Sequence, residues 1–122
     1  MSALAPIPAT SPQTRAASVG PRGFRIDEAP EDGQRVLSVS GELDLAAAPA
    51  LRARVTELAF QDGVVILDLS GVEFIDVAGL CALHALTNEA RRGRWFLQLR
   101  NPSLRVRQLA RLAGMQDLAP AA

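Results

Sequence analysis

The chain has 122 residues, 48% of them apolar, and a formal net charge of zero. That is material for one domain able to bury roughly two-thirds of its unfolded surface, and the even charge argues against nucleic acid as a direct partner. All thirteen basic residues are Arg, so a Lys-dependent P-loop and Schiff-base catalysis are excluded for want of a side-chain amine.

Residues 1–23 are rich in Ala, Pro, Ser and Thr and show no periodicity, which reads as a disordered tail. Thr10, Ser11 and Thr14 are hydroxyls that nothing in the tail marks for modification. Phe24–Asp27 alternates as a short strand, Ala29–Gly33 is turn chemistry, and Arg35–Ser40 is a second strand, so the pair forms an antiparallel hairpin. Ser38 and Ser40 are small enough to admit a closely packed helix. Gly41–Asp44 ends that strand. Pro49 suits a first helical turn, and the helix runs to about Phe60, with Leu51, Val55, Leu58 and Ala59 on one face and Gly63 as its stop.

Val64–Leu69 is a continuous aliphatic run, as expected of a strand buried on both faces. Asp68, Ser70 and Gly71 break it. A loop touching down at Phe74 and Ile75 then leads into a helix from about Ala78 to Arg92. Its inward residues are Gly79, Ala82, Leu83, Leu86 and Ala90; Cys81, His84, Asn88 and Arg91 look outward, and Gly93 ends it. Trp95–Leu99 is a fourth strand. Ser103 caps a last helix to about Ala113, with Val106, Leu109 and Ala113 inward. Met115–Leu118 packs back on the sheet before a frayed tail over 119–122. The order β-β-α-β-α-β-α predicts one α/β domain over 24–118. Its sheet is mixed and four- to five-stranded, with an antiparallel edge and three helices mainly on one face.

Asp44, Asp68 and Asp76 fall near strand ends. Such clusters bind a cation in receiver domains, but that chemistry also uses a strand-end Lys, and turn or helix capping is the simpler reading. A lone His84 builds neither a metal site nor a triad. Cys81 sits one turn into a helix, where a thiolate is favoured, yet it reads more simply as a small packing residue. It forms no internal disulfide, which fits a cytoplasmic location. No run reaches the roughly 18–20 apolar residues of a membrane span. From Arg91 to Arg111 there are seven Arg and no acid, whereas acids predominate from Phe24 to Glu89. That two-signed surface suits a protein partner. These residues point to no enzyme, metal or cofactor. They point to a binding module whose helix start offers free backbone N–H groups to an anion, a modification or a partner.

Leu37–Asp44 (LSVSGELD), Ala48–Leu51 and Ile66–Leu80 (ILDLSGVEFIDVAGL) together resemble the STAS family, within it the bacterial anti-sigma factor antagonists, over about Phe24 to Leu118. The resemblance implies a protein-binding switch. Such proteins bind an anti-sigma factor with a histidine-kinase-like ATPase fold and so release a sigma factor. That partner phosphorylates a Ser at the helix start to end the interaction. The resemblance implies partner contacts at Asp44, Asp76, Val77, Ala78, Gly79, Leu80 and Cys81, a monomer or weak dimer, and no cofactor. The family's D-S-S-G-L motif aligns with Asp76–Leu80, and its phosphorylated Ser falls on Ala78, which has no hydroxyl. Ser70 and Thr87 are near in sequence but do not match the motif position. The chain therefore mimics a permanently unphosphorylated antagonist, or it has lost the switch and does another job. The alternatives are an accessory STAS subunit of a lipid-transport ATPase or stress complex, and a nucleotide-binding STAS module.

Overall fold

The structure, a computed structural model, describes residues 18–19 and 23–115. The strands are β1 (Ser18–Val19), β2 (Arg25–Glu31), β3 (Gln34–Leu43), β4 (Val64–Ile75) and β5 (Phe96–Arg100). The helices are α1 (Ala48–Asp62), α2 (Val77–Gly93) and α3 (Leu104–Leu112). They form one five-stranded sheet whose spatial order, β1-β2-β3-β4-β5, is also the sequence order. β1, β2 and β3 are antiparallel neighbours, and β3, β4 and β5 are parallel.

That order explains the helix layer. Each parallel crossover steps the same way across the sheet, so crossovers of one hand must lay α1 and α2 on the same face. Alternate residues of the strands point into that layer: Leu37 and Val39 from β3, and Val65, Leu67 and Leu69 from β4. They meet Leu51, Val55 and Leu58 of α1, Leu80, Leu83 and Leu86 of α2, and Val106 and Ala110 of α3. Each fully buried Leu contributes about 1.5–3 kcal/mol. The strand order never reverses, so the sheet has no switch-point crevice of the kind that binds ligands in doubly wound folds.

Four expectations are corrected. Asp68, Ser70 and Gly71 do not end the central strand, which continues to Ile75, and β3 likewise runs on to Leu43. Between the pairs Ser38–Asp68 and Ser40–Gly71 the register shifts, and it shifts again between Gly41 and Glu42. These bulges absorb extra residues of β4 and bend it without ending its pairing. Ser38 is exposed on the face away from the helices, so it admits no helix. In the region read as a disordered tail, Ser18 and Val19 pair with Ile26 and Arg25, covering part of a sheet edge that would otherwise present unpaired backbone groups. The rest of that region before Gly23, Thr10, Ser11 and Thr14 included, lies outside the described residues, as do 116–122. Met115 packs against the core.

Two polar ties fasten the sheet. Glu28, only 4% exposed, lies on the helix side of β2. It forms ion pairs with Arg54 of α1 and, at 3.5 Å, with Arg35 of β3, so the hairpin is clamped to a helix. On the opposite face Arg100 of β5 reaches past two strands to Glu31 of β2, at 2.6 Å, and lies 3.6 Å from Asp68. Partial burial pushes the Asp68 carboxyl up. The Ser70 hydroxyl and backbone N–H, Asn101 and Arg100 outweigh that and hold it below its ordinary value.

Glu28→Gln removes the charge that two guanidinium groups share. A fully buried pair broken this way costs about 3–5 kcal/mol. Arg54 and Arg35 keep some solvent access, so the expected loss is about 1–2 kcal/mol, read as a lower urea midpoint. An unchanged midpoint would show that the clamp adds nothing net.

A depressed carboxyl stabilises the fold above its unfolded pKa of about 3.9 and loses that contribution as pH falls through the lower native value. The stability gap between the natural chain and Asp68→Asn is therefore full at neutral pH and closes in acid below about pH 4. Urea titrations across that range check it; a gap that widens in acid would reverse the sign.

Candidate functional site

The end of β4 hands the chain to α2 at Asp76. Its backbone is extended (φ −107°, ψ −178°), as a helix cap requires. One carboxylate oxygen accepts from the Gly79 N–H at 2.8 Å, and the other accepts from the Leu45 N–H at 3.2 Å. The Asp76 N–H donates to the Leu43 carbonyl at 3.4 Å. One residue thus caps α2 and ties it to the segment between β3 and α1. Asp44 shapes that segment from within: its side chain accepts from Ala47 N–H at 3.0 Å, and its carbonyl accepts from Ala48 N–H at 2.9 Å.

Gly79 brings the two segments into contact. A Cβ there would sit 2.1 Å from the Leu43 carbonyl oxygen, a backbone atom with no room to move. Only a residue without a side chain lets the first turn of α2 lie on the end of β3. Leu80 then points into the core and is fully buried.

Several residues expected to meet a partner are therefore committed inward. Gly79 and Leu80 are buried, and the carboxylates of Asp44 and Asp76 are engaged in local hydrogen bonds. Val77 and Cys81 are exposed and Ala78 is half-buried, so these three of the seven present side chains outward. Of these, Ala78 and Cys81 open onto a groove of about 880 Å³ between α1 and α2. Leu45, Pro49 and Ala53 line one side, and Ala78, Cys81 and Ala85 the other. Arg52 of α1 and Glu89 of α2 form an ion pair across the two helices. Leu45, 72% exposed, also lines the groove and was not singled out from the sequence. Its signal was present: an apolar residue directly after the β3 end, outside both the strand and the helix pattern.

The other candidates lie elsewhere. Asp68 is on the sheet face opposite the helices, bound by Ser70 and Asn101, and so stands apart from Asp44 and Asp76. Among the described residues no three of His, Cys, Asp and Glu assemble as metal ligands. Ser70 spends its hydroxyl on Asp68, and Thr87 donates to the Leu83 carbonyl at 3.0 Å, about 13 Å along α2 from Ala78. His84 is half-buried rather than fully outward, and its Nδ1 has no partner among the described residues. No helix among the described residues is long and apolar enough to cross a membrane.

With this geometry in view, comparison with known proteins settles the family. A family model described as Mlab, STAS domain matches residues 26–120. The chain belongs to the STAS domain family. It is 36% identical over 70 residues to the anti-sigma-F factor antagonist RsfB of Mycobacterium tuberculosis, a match spanning 57% of each chain. It is 26% identical over 95 residues to the anti-sigma-B factor antagonist of Bacillus subtilis, covering 78% of this chain and 87% of that one. The crystal structure of an anti-sigma factor antagonist from Mycobacterium paratuberculosis superposes with a TM-score of 0.64 at 30% identity, covering 84% of this chain and 88% of that one. The fold of this STAS domain is thus an α/β domain with a mixed sheet and three helices, as expected from the sequence.

Gly79→Ala sets two effects against each other. Helix propensity favours Ala by about 1 kcal/mol. The clash with the Leu43 carbonyl costs about 3 kcal/mol, at the upper end for overpacking. Net destabilisation of about 2 kcal/mol is expected by urea unfolding. A stabilised variant would show that the approach of α2 to β3 is not tight.

Proposed function

We propose that this STAS domain is an anti-sigma factor antagonist. It docks onto a kinase-like anti-sigma factor in the cytoplasm, displaces the sigma factor, and acts by binding alone, as a monomer or weak dimer. The observation that carries this reading is the open apolar groove that begins at the capped start of α2 and includes Ala78 in its wall. Small side chains at Ala53, Ala78 and Ala85 let a partner's backbone approach, while Leu45 and Val77 offer exposed apolar area. The antagonist names of the relatives support it; the lipid-transport and nucleotide-binding alternatives are not favoured by them.

The docking residues in this proposal are Leu45, Val77, Ala78 and Cys81, with Asp44 and Asp76 holding the segments that carry them. A phosphoryl group at position 78 would bring nearly two negative charges to an apolar wall, enough to expel a partner. Ala78 has no oxygen to receive one. The interaction is therefore not switched off at this position, and release must come from concentration or from a competing partner.

Titration against kinase-like anti-sigma factors tests this, with Ala78→Asp expected to weaken binding by roughly tenfold or more. With ATP and such a kinase the natural chain should stay unlabelled, while Ala78→Ser gains a site for phosphate. Absence of binding to any such factor defeats the proposal, and stoichiometric phosphate on Ser70 or Thr87 defeats the unswitched form of it.

A further inference from the structure

The far end of α2, about 25 Å from its start, carries a second surface that the antagonist reading does not use. The helix ends at Gly93, as the sequence pattern places it, and the left-handed residue that follows is Arg94 (φ 60°). The Trp95 ring lies against Gly93. A Cβ on Gly93 would come within 2.8 Å of the indole Cδ1 and 2.9 Å of Nε1, so Gly93 is required to make room for the ring. The strained turn then falls to an Arg, a conformation that costs a non-glycine residue about 1 kcal/mol or more. The Trp95 N–H donates to the Ala90 carbonyl at 3.1 Å, and the Phe96 N–H donates to Gly63 at 2.9 Å, so the turn is pinned from both sides.

The pinned turn separates two recesses. One, of about 430 Å³, includes Arg91, Arg94, Trp95 and Phe96; the other, of about 370 Å³, includes Phe60, Arg94 and Trp95. Phe60 is 93% exposed and Phe96 75%. Solvent-facing aromatic side chains of this size, grouped around a fixed Trp, mark an interaction surface. Its charge is one-sided. Arg91, Arg92 and Arg94 fall within four residues, and among the described residues no ion pair joins any of them to an acid. Arg91 and Arg92 favour the carbonyl end of the helix, yet both remain exposed.

We infer that this pole is a second docking surface, taking an acidic peptide segment of another protein that seats one apolar anchor in each recess. The cations select the acidic strand, and Arg guanidinium groups bind carboxylates in paired hydrogen bonds. A second copy of this chain is disfavoured, because two such poles face to face would oppose arginines. Two shaped recesses with a rigid ridge between them favour a peptide with spaced side chains over a fluid lipid surface.

Selection of a phage-displayed random 16-residue peptide library on the full chain tests this, with counter-selection on a Phe60→Ser/Arg94→Glu variant to discard binders of other surfaces. The expected yield is peptides rich in Asp and Glu with two spaced Leu, Phe or Trp residues. A synthetic Trp-free version should blue-shift the emission of Trp95, the only Trp of the chain. Its Kd should weaken about tenfold or more in Arg91→Glu/Arg94→Glu, measured at a temperature where unfolding curves show the variant fully folded. No enrichment, enrichment of peptides without acids, or equal affinity for the double variant overturns the inference. So does sedimentation with phosphatidylglycerol vesicles in place of peptide binding, which assigns the pole to a membrane. Dimerisation abolished by Phe60→Ser assigns it to a second copy and overturns it as well. None of these outcomes involves the groove at Ala78, so failure here leaves the antagonist reading untouched.

Discussion

Asp76 holds the site together because one carboxylate serves two segments. Its two oxygens accept from Gly79 and from Leu45, which belong to different crossovers of the sheet. A helix start otherwise leaves four N–H groups unsatisfied, and a connecting loop otherwise floats. Here the same charge answers both needs and sits at the positive end of the α2 dipole. The groove between α1 and α2 has a fixed mouth because this tie fixes the spacing of its walls. Gly79 completes the arrangement by letting α2 settle onto the Leu43 carbonyl.

The topology gives that tie its consequence. Sheet order equals chain order, so α1 and α2 share one face and no crevice opens between reversing crossovers, and α3 packs into the same core. The start of α2 presents an apolar groove of small side chains. The end of α2 presents arginines and aromatic rings. One helix thus separates two chemically unlike surfaces.

Stability is divided between layers. The helix face rests on aliphatic burial with one ionic clamp, Glu28 with Arg54 and Arg35. Among the described residues no helix covers the opposite face, and the Arg100–Glu31 pair spans it from β5 to β2. A charged strap suits that position because it lies at the boundary with water, where ion pairs avoid the full desolvation penalty.

The sequence by itself determined the element order from β2 to α3, the aliphatic core of α1 and α2, the Ser103 cap and the family, because each depends on local spacing or on a contiguous motif. It misjudged where β4 ends, because bulges are set by the register with β3 and not by β4's own composition. It missed β1, since a two-residue strand exists only where a neighbour's edge awaits pairing. It named Gly79 and Leu80 among partner contacts; the fold buries both, while Leu45 is exposed. The division has one physical reason. Helix periodicity, caps and motifs are carried by neighbours within a few residues. Bulges, buried charge pairs such as Glu28 with Arg54, the left-handed turn at Arg94 and the groove beside Ala78 arise from segments far apart in the chain, and only packing decides them.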